Sequence, residues 1–163
     1  MRGIYLALGG NEGDREANLA RAHALLEARG IHVLATSPLY ENPALLPEDA
    51  PEAWDMPFLN QVIEVRTSMQ PEMLLEELKL IEGELGRKPS PRWSPRPIDI
   101  DILAFHDIAT AGQRLTIPHP EWYKRDFVVI PWFDIAPEWH WHGMSLKQLR
   151  PQFEESKVTR HAA

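Results

Sequence analysis

The sequence predicts an α+β fold, a ferredoxin-like βαββαβ core whose antiparallel sheet carries both helices on one face and an active-site cleft on the other. Three observations lead there. Four stretches read as strands and two as helices, in the order β-α-β-β-α-β. Glycines, prolines and a capping aspartate mark their ends. The fourth strand, IDIDILAF (98–105), sets Ile98, Ile100 and Ile102 on one side and Asp99 and Asp101 on the other. The isoleucines are expected under the helices, which points both aspartates at the open face.

GIYLAL (3–8) is the first strand, ended by Gly9-Gly10. Asp14 is the N-cap of a helix that runs to about Arg29 with Leu19, Ala22, Leu25 and Leu26 as its apolar positions, and Gly30 is its C′ residue. IHVLATSPLYE (31–41) reads as one long second strand. Residues 42–57, rich in proline and acid, form a long loop, and FLNQVIEVRT (58–67) is the third strand. Pro71 opens the second helix, PEMLLEELKLIEGEL, which stops at Gly86. Beyond residue 107 the pattern weakens into an irregular extension: LTIPHP (115–120) and RDFVVIPWF (125–133) look strand-like, and SLKQL (145–149) looks like a short helix. No linker or repeat interrupts the chain, so residues 1–163 are expected to form a single domain.

Composition narrows the function. A net charge of −7 argues against a general nucleic-acid binder. Cysteine is absent, which excludes disulfides and thiolate metal sites. No segment nears the roughly 20 apolar residues of a membrane helix, and the apolar run at the N-terminus is too short for a signal peptide. A cytoplasmic protein with no membrane partner is expected. Against the acidic average stands one basic loop: Arg87, Lys88, Arg92 and Arg96, with no acid among residues 87–96. It ends at Asp99 and Asp101, whose Cα atoms lie about 7 Å apart on a strand. Carboxylates so spaced can hold or bridge Mg²⁺ when phosphate oxygens complete the octahedra. A basic loop leading into such a pair suggests a small polyanion bound with a metal.

Other motifs say less. Gly9-Gly10-Asn11-Glu12-Gly13-Asp14 reads as a plain strand-to-helix turn, since neither G-x-G-x-x-G nor G-x-x-x-x-G-K-[ST] is present. His119 sits between prolines in a stretch stiff enough to aim a side chain. In Trp139-His140-Trp141-His142, alternation sets both histidines on one strand face near a turn at Gly143, and the segment reads as structural. Phe58 and Phe127 fit a core, although their polar neighbours Asn60 and Arg125 leave a stacking role open.

YLALGGNEGD, FLNQVIEV, IEGELGR, RWSPRPIDIDIL and LTIPHP followed by RDFVVIPWFDIAPE stand in the order of the 6-hydroxymethyl-7,8-dihydropterin pyrophosphokinase family, which the chain resembles from about Ile4 to Pro137. The resemblance implies transfer of pyrophosphate from ATP to the pterin's hydroxymethyl group, releasing AMP, in folate biosynthesis. It implies two Mg²⁺ ions on Asp99 and Asp101, and catalytic roles for those aspartates with Arg87, Arg92 and Arg96. ATP would be met by these arginines and by Ile98, Thr116, His119 and Arg125. The pterin would lie between Phe58 and Phe127, with Asn11, Asn42, Pro43, Leu45, Asn60 and Asp99 around it. A monomer is expected. The chain departs from the family's pattern at Gly10, where serine is common, at Ser94, and at Leu46, where a glycine usually lies against the pterin.

Overall fold

A computed structural model describes residues 3–161. The core follows the expected order: β1 (Ile4–Gly10), α1 (Arg15–Ala28), β2 (His32–Thr36), β3 (Tyr40–Asn42), β4 (Phe58–Arg66), α2 (Pro71–Glu84) and β5 (Asp99–Phe105). The sheet runs β10-β3-β4-β1-β5, where β10 is Thr159–Arg160, and β2 also pairs with β4; all pairings are antiparallel. Asp14 caps α1 by accepting Ala17 N–H at 3.1 Å. Pro71 occupies the first turn of α2, and Gly30 and Gly86 follow the two helices at positive φ, the backbone form that glycine adopts without a Cβ penalty.

Alternation along the strands sorts the sheet into two faces. Ile98, Ile100 and Ile102 are buried with Leu6, Leu8 and Ile63 beneath α1 and α2, which supply Leu19, Leu26, Leu74 and Leu78. Four aliphatic ridges from two helices thus seal that side, and the predicted helix-facing isoleucines are where the pattern put them.

The second strand is not continuous. It breaks at Ser37-Pro38, because Ser37 closes a local pair with Val62, donating its N–H to the carbonyl at 2.9 Å and accepting Val62 N–H on its hydroxyl at 3.0 Å. Pro38 has no N–H to continue a ladder. Both halves still pair with β4.

The stretch expected to be strand-like at 125–133 is instead a helix, α3 (Asp126–Ile135), with Pro131 inside it. Val128, Val129, Ile130, Pro131 and Trp132 are all buried, so the sequence shows no amphipathic period there. This helix covers half of the sheet's other face. Tyr5, Val62 and Leu103 of the sheet meet Val128, Trp132, Trp122 and Trp139 in a second core. Tyr40 reaches across from β3 to donate to the Asp134 carboxylate; burial, with that bond second, pushes its phenol up to about 12.

The remaining elements are short. Thr110–Ala111 (β6) pairs with Thr116–Ile117 (β7), and His140–Trp141 (β8) pairs with Met144–Ser145 (β9). The predicted C-terminal helix forms as α4 (Leu146–Leu149), with Ser145 and Gln148 in a reciprocal capping box. The two histidines of the Trp-His repeat do not share a strand face: His140 lies in β8, whereas His142 sits in the turn at φ 47°. Both are exposed.

Candidate active site

The loop ends of β1, β4 and β5 bring the candidate residues together, with Asp99 and Asp101 half-buried and Asn60 buried. The register places a row across them: Asp99 pairs with Gly9, Gly9 with Asn60, and Asn60 with Tyr40. Asp101 lies one step deeper, opposite Ala7. Small residues on the central strand let the flanking strands' polar groups define this floor. A Cβ on Gly9 would stand 2.4 Å from Asn60 Oδ1, and one on Gly10 only 2.2 Å from the carbonyl oxygen of Pro97. Gly9 and Gly10 are therefore close-approach glycines.

The basic loop returns to this floor. Arg96 Nη1 donates to Asp99 Oδ2 at 2.8 Å, and Arg87 pairs with the other oxygen of the same carboxylate. Two guanidiniums on one carboxylate leave a surplus positive charge beside it. Arg92 is elsewhere, its guanidinium 4.7 Å from the ring centre of Trp93, which is itself exposed and at φ 74°. A bulky residue rarely takes that backbone form. Buried Asn11 pins the loop's exit: its Oδ1 accepts Arg96 N–H at 3.0 Å, its own N–H donates to Arg96 O at 3.0 Å, and its Nδ2 donates to Met56 O at 3.0 Å. One amide thus joins the basic loop to the chain segment just before Phe58.

Arg87 has a further neighbour that the sequence reading missed. Glu82, on α2, is buried and lies 3.9 Å from Arg87 Nη1. The signal was present: Glu82 occupies the apolar stripe Leu74, Leu78, Ile81.

On the opposite flank, Phe58 and Phe127 are both half-buried. Phe58 opens β4, two residues before Asn60, with the Arg96 guanidinium 6.0 Å from its ring centre. Phe127 lies in the first turn of α3, with Arg125 at 5.7 Å. Each ring therefore has an apolar face and a cationic neighbour. Asn60 donates to Asn42 Oδ1, and Asn42 Nδ2 donates to Pro43 O at 3.1 Å, a chain that orients both amides. Pro43 and Leu45 are exposed on the 42–57 loop, and Leu46 is half-buried.

Thr116 sits half-buried in β7, and a cis Ile117-Pro118 bond leads to His119. The backbone N–H of His119 is tied to Leu103 O at 3.0 Å, which brings it beside β5. Its Nδ1 accepts Glu121 N–H at 3.2 Å, so the neutral ring carries its proton on Nε2. Burial lowers its pKa below the ordinary histidine value and Arg125 adds to this, while Asp101 and Glu121 pull it back. The ring is a neutral donor at pH 7. The side chain of Ile98 is fully buried in the helix-side core, so an ATP contact at this residue would fall to its backbone. The alternation that faces Asp99 outward turns Ile98 inward, and only its carbonyl reaches the site, accepting from Arg87 at 3.3 Å.

The donor set fits magnesium of one kind. Among the described residues no group of three or more His, Cys, Asp or Glu side chains gathers as a cation cage. Mg²⁺ commonly uses one or two carboxylates plus phosphates and water. Asp99 and Asp101 supply that minimum.

A family model described as 7,8-dihydro-6-hydroxymethylpterin-pyrophosphokinase matches residues 5–137. The folate synthesis bifunctional protein of Chlamydia trachomatis is 42% identical over 128 residues, covering 77% of this chain and 28% of that protein. The chain thus spans under a third of that relative's length. The 2-amino-4-hydroxy-6-hydroxymethyldihydropteridine pyrophosphokinase of Methylorubrum extorquens is 37% identical over 161 residues, which is 98% of this chain and 99% of that one. Among solved structures, a Plasmodium falciparum HPPK-DHPS with pteroate shares the fold at a TM-score of 0.74 and 16% identity, covering 96% of this chain and 45% of that one.

Proposed function

The chain belongs to the 7,8-dihydro-6-hydroxymethylpterin-pyrophosphokinase family, and from that premise we propose that it transfers pyrophosphate from ATP to 6-hydroxymethyl-7,8-dihydropterin in folate biosynthesis. The hydroxymethyl oxygen bonds to the β-phosphorus, the bond from that phosphorus to the α–β bridging oxygen breaks, AMP leaves with the bridging oxygen, and the alcohol proton is released. The observation that carries this reading is the meeting of Arg87 and Arg96 on Asp99, with Asp101 on the same strand face.

Asp99 and Asp101 would hold two Mg²⁺ ions, which when bound supply charge neutralisation for the triphosphate. Arg87 and Arg96 exchange Asp99 for phosphate oxygens, where their planar forks suit bidentate contact. Arg92, on the exposed part of the loop, closes from outside. His119 offers its Nε2–H to a phosphate oxygen, and Thr116 and Arg125 complete the nucleotide side. The pterin stacks between Phe58 and Phe127 while Asn60, with Asn42 behind it, hydrogen-bonds its polar edge. Pro43 and Leu45 form the rim. A monomer acting in the cytoplasm belongs to the same proposal; among the described residues no helix is long and apolar enough to cross a membrane.

The test is AMP release from ATP and Mg²⁺ with and without the pterin. Strong stimulation, with one pyrophosphorylated pterin per AMP, is the expected result; a slow rate indifferent to the pterin would assign the 42–57 loop to a different acceptor. Phe127→Ala is expected to weaken pterin binding by about 1–3 kcal/mol, roughly 5- to 150-fold, through lost stacking. ATP affinity should hardly change. Equal losses for both ligands, measured by calorimetry, would make Phe127 a core residue instead.

A further inference from the structure

Glu82 stands where the period of α2 requires an apolar side chain. At 3% exposure it is the single acid in the buried set among the described residues. A carboxylate survives such burial only with partners. Its Oε2 accepts Ile100 N–H at 2.7 Å, its Oε1 accepts from Lys79 Nζ at 3.3 Å, and Arg87 Nη1 lies 3.9 Å from Oε2. Lys79 is more than half exposed, so the inner partners are Ile100 and Arg87.

Those two partners give the contact its meaning. Among the described residues strand β5 pairs only with β1 and forms one edge of the sheet. Ile100 stands between Asp99 and Asp101, and its N–H points away from β1. An outward N–H on an edge strand ordinarily goes to water. Here a buried carboxylate takes it, and the same carboxylate lies beside the guanidinium that also holds Asp99. From this geometry we infer that Glu82 is a positioning residue for the Asp99–Asp101 pair. It fixes the backbone between the two carboxylates and gives Arg87 a second anion to rest against when that guanidinium leaves Asp99. The inference rests on the proposed role of Asp99 and Asp101; Glu82 itself meets no substrate and acts through Ile100 and Arg87.

Two substitutions separate its functions. Glu82→Gln keeps an acceptor for Ile100 and removes the charge, whereas Glu82→Ala removes both. The readout is the Mg²⁺ concentration that half-saturates binding of a non-hydrolysable ATP analogue, followed by calorimetry, with thermal melting alongside. Glu82→Gln is expected to raise that concentration about tenfold and Glu82→Ala nearer a hundredfold, the range seen for groups that orient metal ligands. Lys79→Ala, which removes only the exposed partner, should leave it unchanged. If the unmodified protein binds no Mg²⁺-nucleotide, the proposed function itself fails. If it binds and Glu82→Gln and Glu82→Ala both fold but show the same Mg²⁺ requirement as the parent, Glu82 only stabilises the fold and the inference is overturned; a rise in the alanine form alone would confine its role to Ile100.

Discussion

Asp101→Ala is expected to lower AMP formation by about a hundredfold to a thousandfold while leaving the fold intact, because a positioned electrostatic group of this kind commonly supplies that much of a rate. Asp101 is half-buried on the open face, opposite Ala7, and belongs to neither core. Its removal takes away one of two carboxylates available to a cation and disturbs no packed side chain. Asp99→Ala should be equally inactive but not equally stable. Arg87 and Arg96 both lean on that carboxylate, and its loss leaves two guanidiniums facing one another. Melting curves therefore distinguish the two variants, with the Asp99 form lower. A variant of either kind that kept near-normal turnover at limiting Mg²⁺ would remove the two-carboxylate assignment.

Gly10→Ala is expected to damage both stability and activity. Its Cβ would meet the Pro97 carbonyl oxygen at 2.2 Å and the carbonyl carbon at 2.8 Å, and backbone atoms cannot swing aside as a side chain can. Either β1 bends or the exit of the basic loop moves. Forced crowding of this kind costs about 1–3 kcal/mol. The same displacement pulls Arg96 off its bonds with Asn11. Denaturant unfolding combined with steady-state kinetics measures both effects; an alanine form as stable and active as the parent would show that the contact is easily relieved.

Strand alternation was enough to put Asp99 and Asp101 on the face away from the helix-side core, and caps and glycines were enough to bound both large helices. The same alternation also assigned the Ile98 side chain to the core, which leaves its backbone for the role carried over from the family resemblance. What the sequence hid has physical causes. Residues 128–132 of α3 are all buried, so no 3.6-residue period survives, and Val-Val-Ile followed by proline has strand character locally; packing with Trp122 and Trp139 in the second core decides the outcome. The break at Ser37-Pro38 depends on a hydroxyl that bonds to Val62, 25 positions away. Glu82 was visible as a break in an apolar stripe, but its partners on β5 belong to tertiary structure.

The resting place of Arg87 and Arg96 has a thermodynamic consequence. A cleft lined by bare cations would gain most of its affinity for a triphosphate from raw attraction, and would lose it steeply as ionic strength rises. Here both guanidiniums already hold a carboxylate, so a nucleotide entering as proposed would trade one ion pair for another and gain less from raw attraction. Selectivity then follows from which anion fits the paired forks best, rather than from which carries the greatest charge.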